Sequence, residues 1–518
     1  MTPLSKDKGL FWIIVIASAG FLFHLFTYNT LGFHRDEFLY LSLGKHLSAG
    51  YWSNPPLIGL VSYLAQLLPF GPLFSIRLVS AIAGFLLVLL TGLIVGELGG
   101  GIYSKILACL VLSTTLLFLR AYSMLQPVPF DILLWTAILY FLLKYINTEN
   151  HIWLLWLGVG FGLGMLNKYM VVFLAAGIFI GLLLSPKRKV LADKYTWIAA
   201  GIAILLFLPN ILWQYNHGFP VTKHMIELRD TQLVNVKRID IVIDQVLMFT
   251  FGSFLWIAGL IWLLARKTNA RFRIFAIIYL SILVFFLILK GKSYYLAGLY
   301  PFLFAAGAVS WEKTIRSAIW RTVFLVGLVA FSIPMVPAGI PLASGPKLAS
   351  YFSKMPPKMG AEALLRWEDG KMHTLPQDFA DMIGWDELAG IVIKAADTVQ
   401  DKSRIFIYGE NYGQAGSVDL YGRGHGLPQA MSFSDSYILW MPDTLSANAD
   451  LFFYINDERG DDVFPMFERV DSLGSITDTL AREYGTTVYL CQRPSREFRD
   501  FLRSKVSEIK GERVRGKR

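Results

Sequence analysis

Long apolar runs alternate with polar segments over roughly the first two thirds of the chain. Eleven of these runs are long enough, or nearly long enough, to span a bilayer; they lie at 10–28, 76–98, 106–120, 128–146, 152–166, 169–185, 196–213, 244–265, 273–290, 294–311 and 319–337. The first run follows Lys6 and Lys8, as in a signal peptide, but it lacks a convincing small-x-small cleavage site and is predicted to be retained. The pattern predicts a polytopic α-helical membrane protein with about eleven spans.

Two long segments, 29–75 and 214–243, interrupt this alternation. In the first segment, Leu39, Leu43 and Leu47 repeat every four residues, and a second apolar stripe with helical spacing follows the two prolines at 55–56. Such stripes are typical of amphipathic helices that lie in the membrane interface. We therefore expect the first loop to lie on the membrane as two such helices.

The chain changes character after residue 337. A connection rich in Pro and Gly at 334–357 leads into a mixed polar segment that has no further spanning run. Short apolar strands at 404–408, 450–454 and 487–491 alternate with longer stretches, of which 381–399 and 495–509 look helical. This rhythm predicts a transmembrane domain at 1–337, followed by a soluble α/β domain at 338–518.

Composition supports a membrane protein. The chain is 54% hydrophobic, with a mean hydropathy of +0.49, which excludes an ordinary soluble protein. Its net charge of +10 does not indicate nucleic-acid binding, because most Lys and Arg residues flank the apolar runs, as orienting a multi-pass protein requires. A cytoplasmic N-terminus puts basic residues in every short inner turn and predicts that both long loops and the C-terminal domain lie outside.

Four ionisable side chains follow one another directly after the first span, in the run His34-Arg35-Asp36-Glu37. Charges so close to hydrocarbon are costly, so they are either solvated anchors or members of a working site. An Arg beside carboxylates can hold a phosphate while a carboxylate takes a proton. Capping of the following helix is the structural alternative.

Further polar groups collect at the predicted outer ends of the spans. Each one alone is more typical of an interfacial anchor, but together they place excess positive charge on the outer face, which indicates an anionic ligand. Because nucleotide-activated substrates stay in the cytoplasm, a lipid-linked phosphate is the expected donor. The candidate substrate-binding residues are Arg35, Tyr40, Asn54, Asp131, Lys168, Arg229, Lys292, Tyr294 and Tyr295.

Five ordered segments resemble the GT-C superfamily of integral membrane glycosyltransferases, in particular bacterial members of family 39, which are related to protein O-mannosyltransferases and lipid A aminoarabinose transferases. The segments are HRDEFLYLSLGKHLSAGYWSNPPLIGL with SIRLVSAIAG after it, YSMLQPVPFDILLWTAILYFLLKY, LGMLNKYMVVFL, LKGKSYYLAGLYP and GENYGQAGSVDLYG. The resemblance covers about residues 33–440. It implies a bacterial cytoplasmic-membrane enzyme.

The resemblance also implies an inverting transfer in which an Asp of the first outer loop activates the acceptor hydroxyl. By position this residue is Asp36, with Glu37 as its neighbour; Asp131 matches an acid at the start of the fourth span. Lys292 with Tyr294 or Tyr295 matches the carrier-binding turn. Ser53-Asn54-Pro55-Pro56 stands where aminoarabinose transferases carry a Glu-Lys-Pro-Pro type sequence, so donor contacts do not transfer from that branch.

The resulting hypothesis is a glycosyltransferase that moves a sugar from a polyprenyl phosphate to a glycolipid, polysaccharide or protein. Asp36 is predicted to be the general base and Glu37 to position the substrate. No cofactor is expected from family 39, although Mg²⁺ or Mn²⁺ held by Asp36 and Glu37 is the mechanistic alternative. The functional alternative is a transporter or flippase of a lipid-linked saccharide, which would be expected to show internal repeats that we do not find.

Overall fold

The computed structural model describes residues 8–265, 267–355 and 361–511. Most of the chain up to residue 339 is helical. Its helices are α1 (Lys8–Thr27), α2 (Arg35–Lys45), α3 (Leu57–Gln66), α4 (Pro72–Glu97), α5 (Ile102–Thr114), α6 (Leu116–Ala121), α7 (Pro127–Thr148), α8 (Ile152–Asn167), α9 (Val171–Leu183), α10 (Lys194–Asn216), α11 (Pro220–Thr231), α12 (Arg238–Leu247), α13 (Gly252–Ala265), α14 (Arg273–Leu289), α15 (Tyr300–Thr314), α16 (Ala318–Ser332) and α17 (Val336–Gly339).

Every predicted apolar run falls on one or more of these helices, so the chain is a multi-pass membrane protein. Within the described ranges, six helical segments are long and apolar enough to cross a membrane, or seven if one bent pair counts as a single span. The predicted count of eleven is not confirmed, because α5, α8, α9 and α15 are each shorter than 18 residues.

Two predicted spans are interrupted. The run at 106–120 breaks at Thr115, whose extended backbone separates α5 from α6. The run at 244–265 is bent by 107° between α12 and α13. The run at 294–311 begins as a 3-10 turn, Ser293–Leu299, before α15 starts. This turn carries two of the predicted ligand-binding tyrosines, Tyr294 and Tyr295.

The remaining helices are α18 (Gly345–Ser353), α19 (Ala361–Leu365), α20 (Gln377–Ala380), α21 (Trp385–Ala396), α22 (Tyr412–Tyr421) and α23 (Arg496–Lys510). They accompany a four-stranded sheet of order β1-β2-β4-β3, formed by β1 (Ile405–Gly409), β2 (Leu451–Asn456), β3 (Phe467–Ser475) and β4 (Thr487–Pro494). β1 and β2 are parallel and the other two pairings are antiparallel. The sequence predicted three of the strands but not β3, because this strand carries charged residues such as Glu468 and Asp471 that hide its apolar positions.

Helix α2 does not lie on the membrane as predicted. Its residues from Glu37 to Gly44 are all buried, because α2 is packed between α3 and α22. The core that encloses it joins Phe38 and Leu43 of the first loop to Trp385 and Ile407 of the C-terminal segment. The first loop and the C-terminal segment therefore share one hydrophobic core.

A buried ion pair anchors the start of α2. Arg77 of α4 donates to both carboxylate oxygens of Glu37, with Nε to Oε1 at 3.2 Å and Nη2 to Oε2 at 2.8 Å. The Leu125 and His34 backbone N–H groups also donate to this carboxylate. Arg77 is further tied to the carbonyls of Tyr28 and Gly32. This network joins α2, α4 and the segment before α7.

We expect Glu37→Gln to destabilise the protein strongly, because it leaves the buried Arg77 guanidinium without its counter-charge. Removing one partner of a buried pair costs about 3–5 kcal/mol. The thermal midpoint of the purified protein in detergent measures the effect. Glu97→Gln is the matched control, since the Glu97–Lys144 pair at the other end of α4 is partly exposed. Equal midpoints for the two variants would contradict the anchoring role.

Candidate active site

A cavity of about 320 Å³ lies where the first loop, the helical bundle and the C-terminal segment meet. We call it the central cavity. Eight of the residues predicted from the sequence line it, namely Arg35, Asp36, Tyr40, Asn54, Lys168, Lys292, Tyr294 and Tyr295. Positions more than 250 residues apart in the chain thus face the same space.

Asp36 lies in the first turn of α2 and contacts three polar residues. His34 is the N-cap of α2, and its Nδ1 accepts from the Asp36 N–H at 3.1 Å. The Arg35 guanidinium lies 3.9 Å from the Asp36 carboxylate, and the Tyr412 hydroxyl donates to it at 2.6 Å. Burial opposes the charge on Asp36, but His34, Arg35 and the Tyr412 hydrogen bond outweigh burial and lower the pKa of this carboxyl. Asp36 is therefore ionised and able to accept a proton or a hydrogen bond.

The C-terminal segment supplies Tyr412 through a close helix contact. Asn411 caps α22 by accepting from the N–H groups of Gly413 and Gln414, and Gln414 completes the capping box. A Cβ on Gly413 would lie 2.6 Å from Arg35, and a Cβ on Gly416 would lie 2.6 Å from Phe38. The small residues of the GENYGQAG motif therefore allow α22 to approach α2 closely enough for the Tyr412–Asp36 hydrogen bond.

The cationic side of the cavity is formed by Lys168 and Lys292. Lys168 follows α8, and its Nζ lies over the rings of Tyr294 and Tyr295 at 5.1 and 4.8 Å. Burial, reinforced by the nearby Lys292, lowers the pKa of Lys168, with Asp131 acting in the opposite direction. Repulsion between two cations near one cavity favours an anion bound between them.

Among the described residues, Lys292 has one carboxylate partner. Its Nζ lies 3.4 Å from Oε1 of Glu368, whose side chain is 51% exposed. A pair this exposed contributes little to stability, so an incoming anion could take the place of Glu368.

Three predicted site residues do not line the central cavity. Glu37 points away from the cavity, and Arg77 and two backbone N–H groups already occupy both of its oxygens. Arg229 lies outside the cavity, with a side chain that is 68% exposed and pairs with Asp230. Asp131 is buried behind Lys168, and one of its oxygens has no hydrogen-bond partner; it is placed to influence Lys168 rather than to touch a ligand.

Three lining residues come from the C-terminal segment and were not predicted, namely Glu368, Tyr412 and Asp435. Tyr412 lies within the GENYGQAG motif, so the sequence contained a signal for it. Glu368 and Asp435 lie in polar stretches with no distinguishing pattern. His224 of α11, in the second long segment, also lines the cavity.

Comparison with known families gives one matching model, described as dolichyl-phosphate-mannose-protein mannosyltransferase, over residues 53–213. This range includes Asp131 and Lys168 but not Asp36. Among curated proteins, the chain is 26% identical over 230 residues to the lipid A galacturonosyltransferase RgtD of Rhizobium johnstonii. The match covers 43% of this chain and 46% of that protein, so less than half of the relative is represented.

Solved structures extend the similarity to nearly the whole chain. ArnT from Cupriavidus metallidurans, in a structure bound to undecaprenyl phosphate, superposes with a TM-score of 0.59 at 13% identity, covering 92% of this chain and 98% of ArnT. The arabinofuranosyltransferase AftD from Mycobacteria superposes with a TM-score of 0.51 at 13% identity, covering 94% of this chain and 40% of AftD.

The chain has the GT-C fold. This confirms the resemblance predicted from the sequence. The first loop and the C-terminal segment of this chain close over the bundle, so that a carboxylate of the first loop and two lysines of the bundle line one cavity.

We expect Tyr412→Phe to raise the pKa of Asp36, because the variant loses the hydrogen bond that helps to stabilise the carboxylate. Infrared difference spectra recorded during an acid titration would follow protonation of this carboxyl, which Asp36→Asn identifies. Tyr421→Phe is the control, since Tyr421 lies on the same helix but packs on Phe33 and Phe38. An unchanged Asp36 titration in Tyr412→Phe would contradict the assigned contact.

Proposed function

We propose that the chain is an inverting glycosyltransferase that moves a sugar from a polyprenyl-phosphate donor to an acceptor hydroxyl. The observation that carries this proposal is the division of the central cavity into a carboxylate side, with Asp36, and a cationic side, with Lys168 and Lys292. An inverting displacement needs a base on one face of the sugar carbon and charge stabilisation on the other. The cavity supplies both.

In the proposed reaction, the acceptor oxygen attacks the anomeric carbon while Asp36 takes the proton of the acceptor hydroxyl. The bond between that carbon and the phosphate oxygen breaks, and its electron pair leaves with the polyprenyl phosphate. Lys168 and Lys292 stabilise the negative charge that develops on this phosphate. Tyr412 and Arg35 hold the carboxylate in place.

An apolar groove supports a lipid-linked donor. It has a volume of about 380 Å³, lies between α8, α9 and α10, and is lined almost wholly by apolar residues such as Met165, Val171 and Leu182. Met165 and Val171 flank Lys168 in the chain, so the groove begins close to the cationic side of the central cavity. An isoprenoid chain in this groove would place its phosphate near Lys168. The similarity to ArnT, whose structure contains undecaprenyl phosphate, supports the same donor class.

The positive-inside rule supports a cytoplasmic N-terminus and a C-terminal segment outside a bacterial cytoplasmic membrane. The central cavity then opens at the outer face, at the depth of the lipid headgroups. Among the acceptor classes considered, namely glycolipid, polysaccharide and protein, a glycolipid is favoured by the similarity to a lipid A transferase.

We also propose that the transfer needs no divalent metal. A metal-dependent mechanism would place Mg²⁺ or Mn²⁺ between Asp36 and Glu37. The Glu37 oxygens, however, are occupied by Arg77 and by backbone donors. Glu37, the carboxylate next to Asp36 in the sequence, is therefore not available to share an ion with it. Its neighbours, Arg35 and Tyr412, are instead those of a general base.

Asp36→Asn is expected to lower turnover by about 10²–10⁴-fold, because the amide cannot take the acceptor proton, while donor binding survives. The assay is transfer from a synthetic polyprenyl-phosphate sugar to envelope glycolipids in proteoliposomes. Wild-type turnover is expected to persist in excess chelator. Full activity in Asp36→Asn would contradict the assignment, and flipping of the donor without transfer by the wild type would favour a transporter.

Lys168→Gln and Lys292→Gln are each expected to weaken donor binding roughly tenfold, because each removes a charged contact to the phosphate. Binding of the same synthetic donor to purified protein measures the change. Arg229→Gln is the matched control, since it removes one positive charge outside the cavity and should leave the donor Kd unchanged. Equal losses in all three variants would indicate a general charge effect rather than a phosphate site.

A further inference from the structure

A second cavity, of about 380 Å³, lies at the far end of α2 from Asp36. We call it the Lys45 cavity. Lys45 and His46 from the end of α2 line one side, and Asp419, Arg423 and Gln429 from α22 and the following loop line the other. None of these residues takes part in the chemistry proposed for the central cavity.

The Lys45 cavity holds more positive charge than its surroundings compensate. Among the described residues, neither Lys45 nor Arg423 forms an ion pair. Burial and repulsion by Arg423 lower the pKa of Lys45, and burial lowers that of Arg423, while the Asp419 carboxylate acts in the opposite direction on both. This carboxylate already accepts from the Ala430 N–H at 2.7 Å and from the Tyr437 hydroxyl at 3.1 Å. Lys45 and Arg423 are both exposed, so an anion can reach the net positive charge of two cations beside one carboxylate.

Hydrogen-bond donors in the Lys45 cavity also lack acceptors within the described part of the chain. Gln429 Nε2 is buried and has no acceptor within the described part of the chain. Arg423 uses Nη2 to donate to Gln66 Oε1 at 3.1 Å, which leaves its other nitrogens available. Gly424 and Gly426 adopt positive φ angles of 92° and 67°, and they bring no side chain into the mouth of the cavity. The lining therefore offers several hydrogen-bond donors to one anion with several acceptor oxygens, as in phosphate.

The surface beside the cavity carries a row of exposed apolar side chains. Gln66, which binds Arg423, ends α3, and this helix exposes Leu60 and Leu64, with Leu67 just beyond it, at 44%, 52% and 63%. An exposed apolar row of this kind suits a helix lying in the membrane interface. The Lys45 cavity then stands at the level of lipid headgroups.

We propose that the Lys45 cavity binds the phosphate group of a lipid headgroup. Lys45 and Arg423 neutralise the charge of the phosphate, the Gln429 amide donates to one of its oxygens, and the apolar row of α3 lies alongside the lipid chains. The proposal does not depend on sugar transfer and concerns a site separate from the central cavity.

The test is native mass spectrometry of the full chain with dioleoyl phosphatidic acid, using dioleoyl phosphatidylcholine as the reference lipid. The double variant Lys45→Gln/Arg423→Gln is expected to bind phosphatidic acid roughly tenfold more weakly than the wild type, with binding of the reference lipid unchanged. Lys347→Gln, an exposed lysine of α18 outside both cavities, is the matched control and should bind as the wild type does. The same comparison in a Lys168→Gln/Lys292→Gln background removes binding to the central cavity from the signal.

Equal affinity of the wild type and the Lys45→Gln/Arg423→Gln variant for phosphatidic acid overturns the proposal. Because neither cation has an ion-pair partner among the described residues, the variant should keep the wild-type thermal midpoint, and a lowered midpoint with unchanged binding likewise overturns it. Competition with glucose 1-phosphate distinguishes the two sources of phosphate. Displacement of phosphatidic acid shows that the phosphate alone is recognised, as on a saccharide headgroup, whereas no displacement assigns the site to a membrane phospholipid whose chains contribute.

Discussion

The buried contact between Glu37 and Arg77 sets the position of α2, and the central cavity is arranged around the start of that helix. Arg77 binds Glu37 in a bidentate manner and also two carbonyls at the end of α1. A charge pair this deep is tolerated only when hydrogen bonds satisfy both partners. Because Glu37 is fixed toward α4, the helical rotation to the preceding residue turns Asp36 toward α22 and the cavity.

Neighbouring ionisable residues in the run His34-Arg35-Asp36-Glu37 therefore have different structural roles. His34 and Glu37 form the capping box of α2, and Glu37 adds the anchor to Arg77. Arg35 and Asp36 line the cavity. Capping and site chemistry appeared as competing interpretations of the sequence, and the structure gives capping to the two outer residues of the run and the cavity to the two inner ones. The arrangement also explains why α2 of the first loop is buried rather than laid on the membrane, since the C-terminal segment covers it.

Much of the fold follows from hydropathy, because each apolar run has to be helical to satisfy its backbone in lipid. The 107° bend between α12 and α13 was not predictable in this way, since apolar residues continue through it, with Phe249 and Phe251 at the break. In the site, residue type and position identified Asp36, Lys168 and Lys292. Residue type does not give the direction of a side chain, which is why Glu37 and Arg229 were predicted in the site although neither lines the cavity. Tyr412 lacked a predicted role because its contact to Asp36 spans 376 positions.

The two proposed sites share one rigid element. Asp36 stands in the first turn of α2 and Lys45 at its last residue, so they are separated by roughly 14 Å along the helix axis at 1.5 Å per residue. Gly413 and Gly416 fit α22 closely against α2, and α22 continues to the loop that carries Arg423. A lipid phosphate held at the Lys45 cavity would therefore stand at a nearly fixed distance from the carboxylate. An acceptor glycolipid with a phosphate about that far from its reactive hydroxyl would be positioned by the same helix that positions the base.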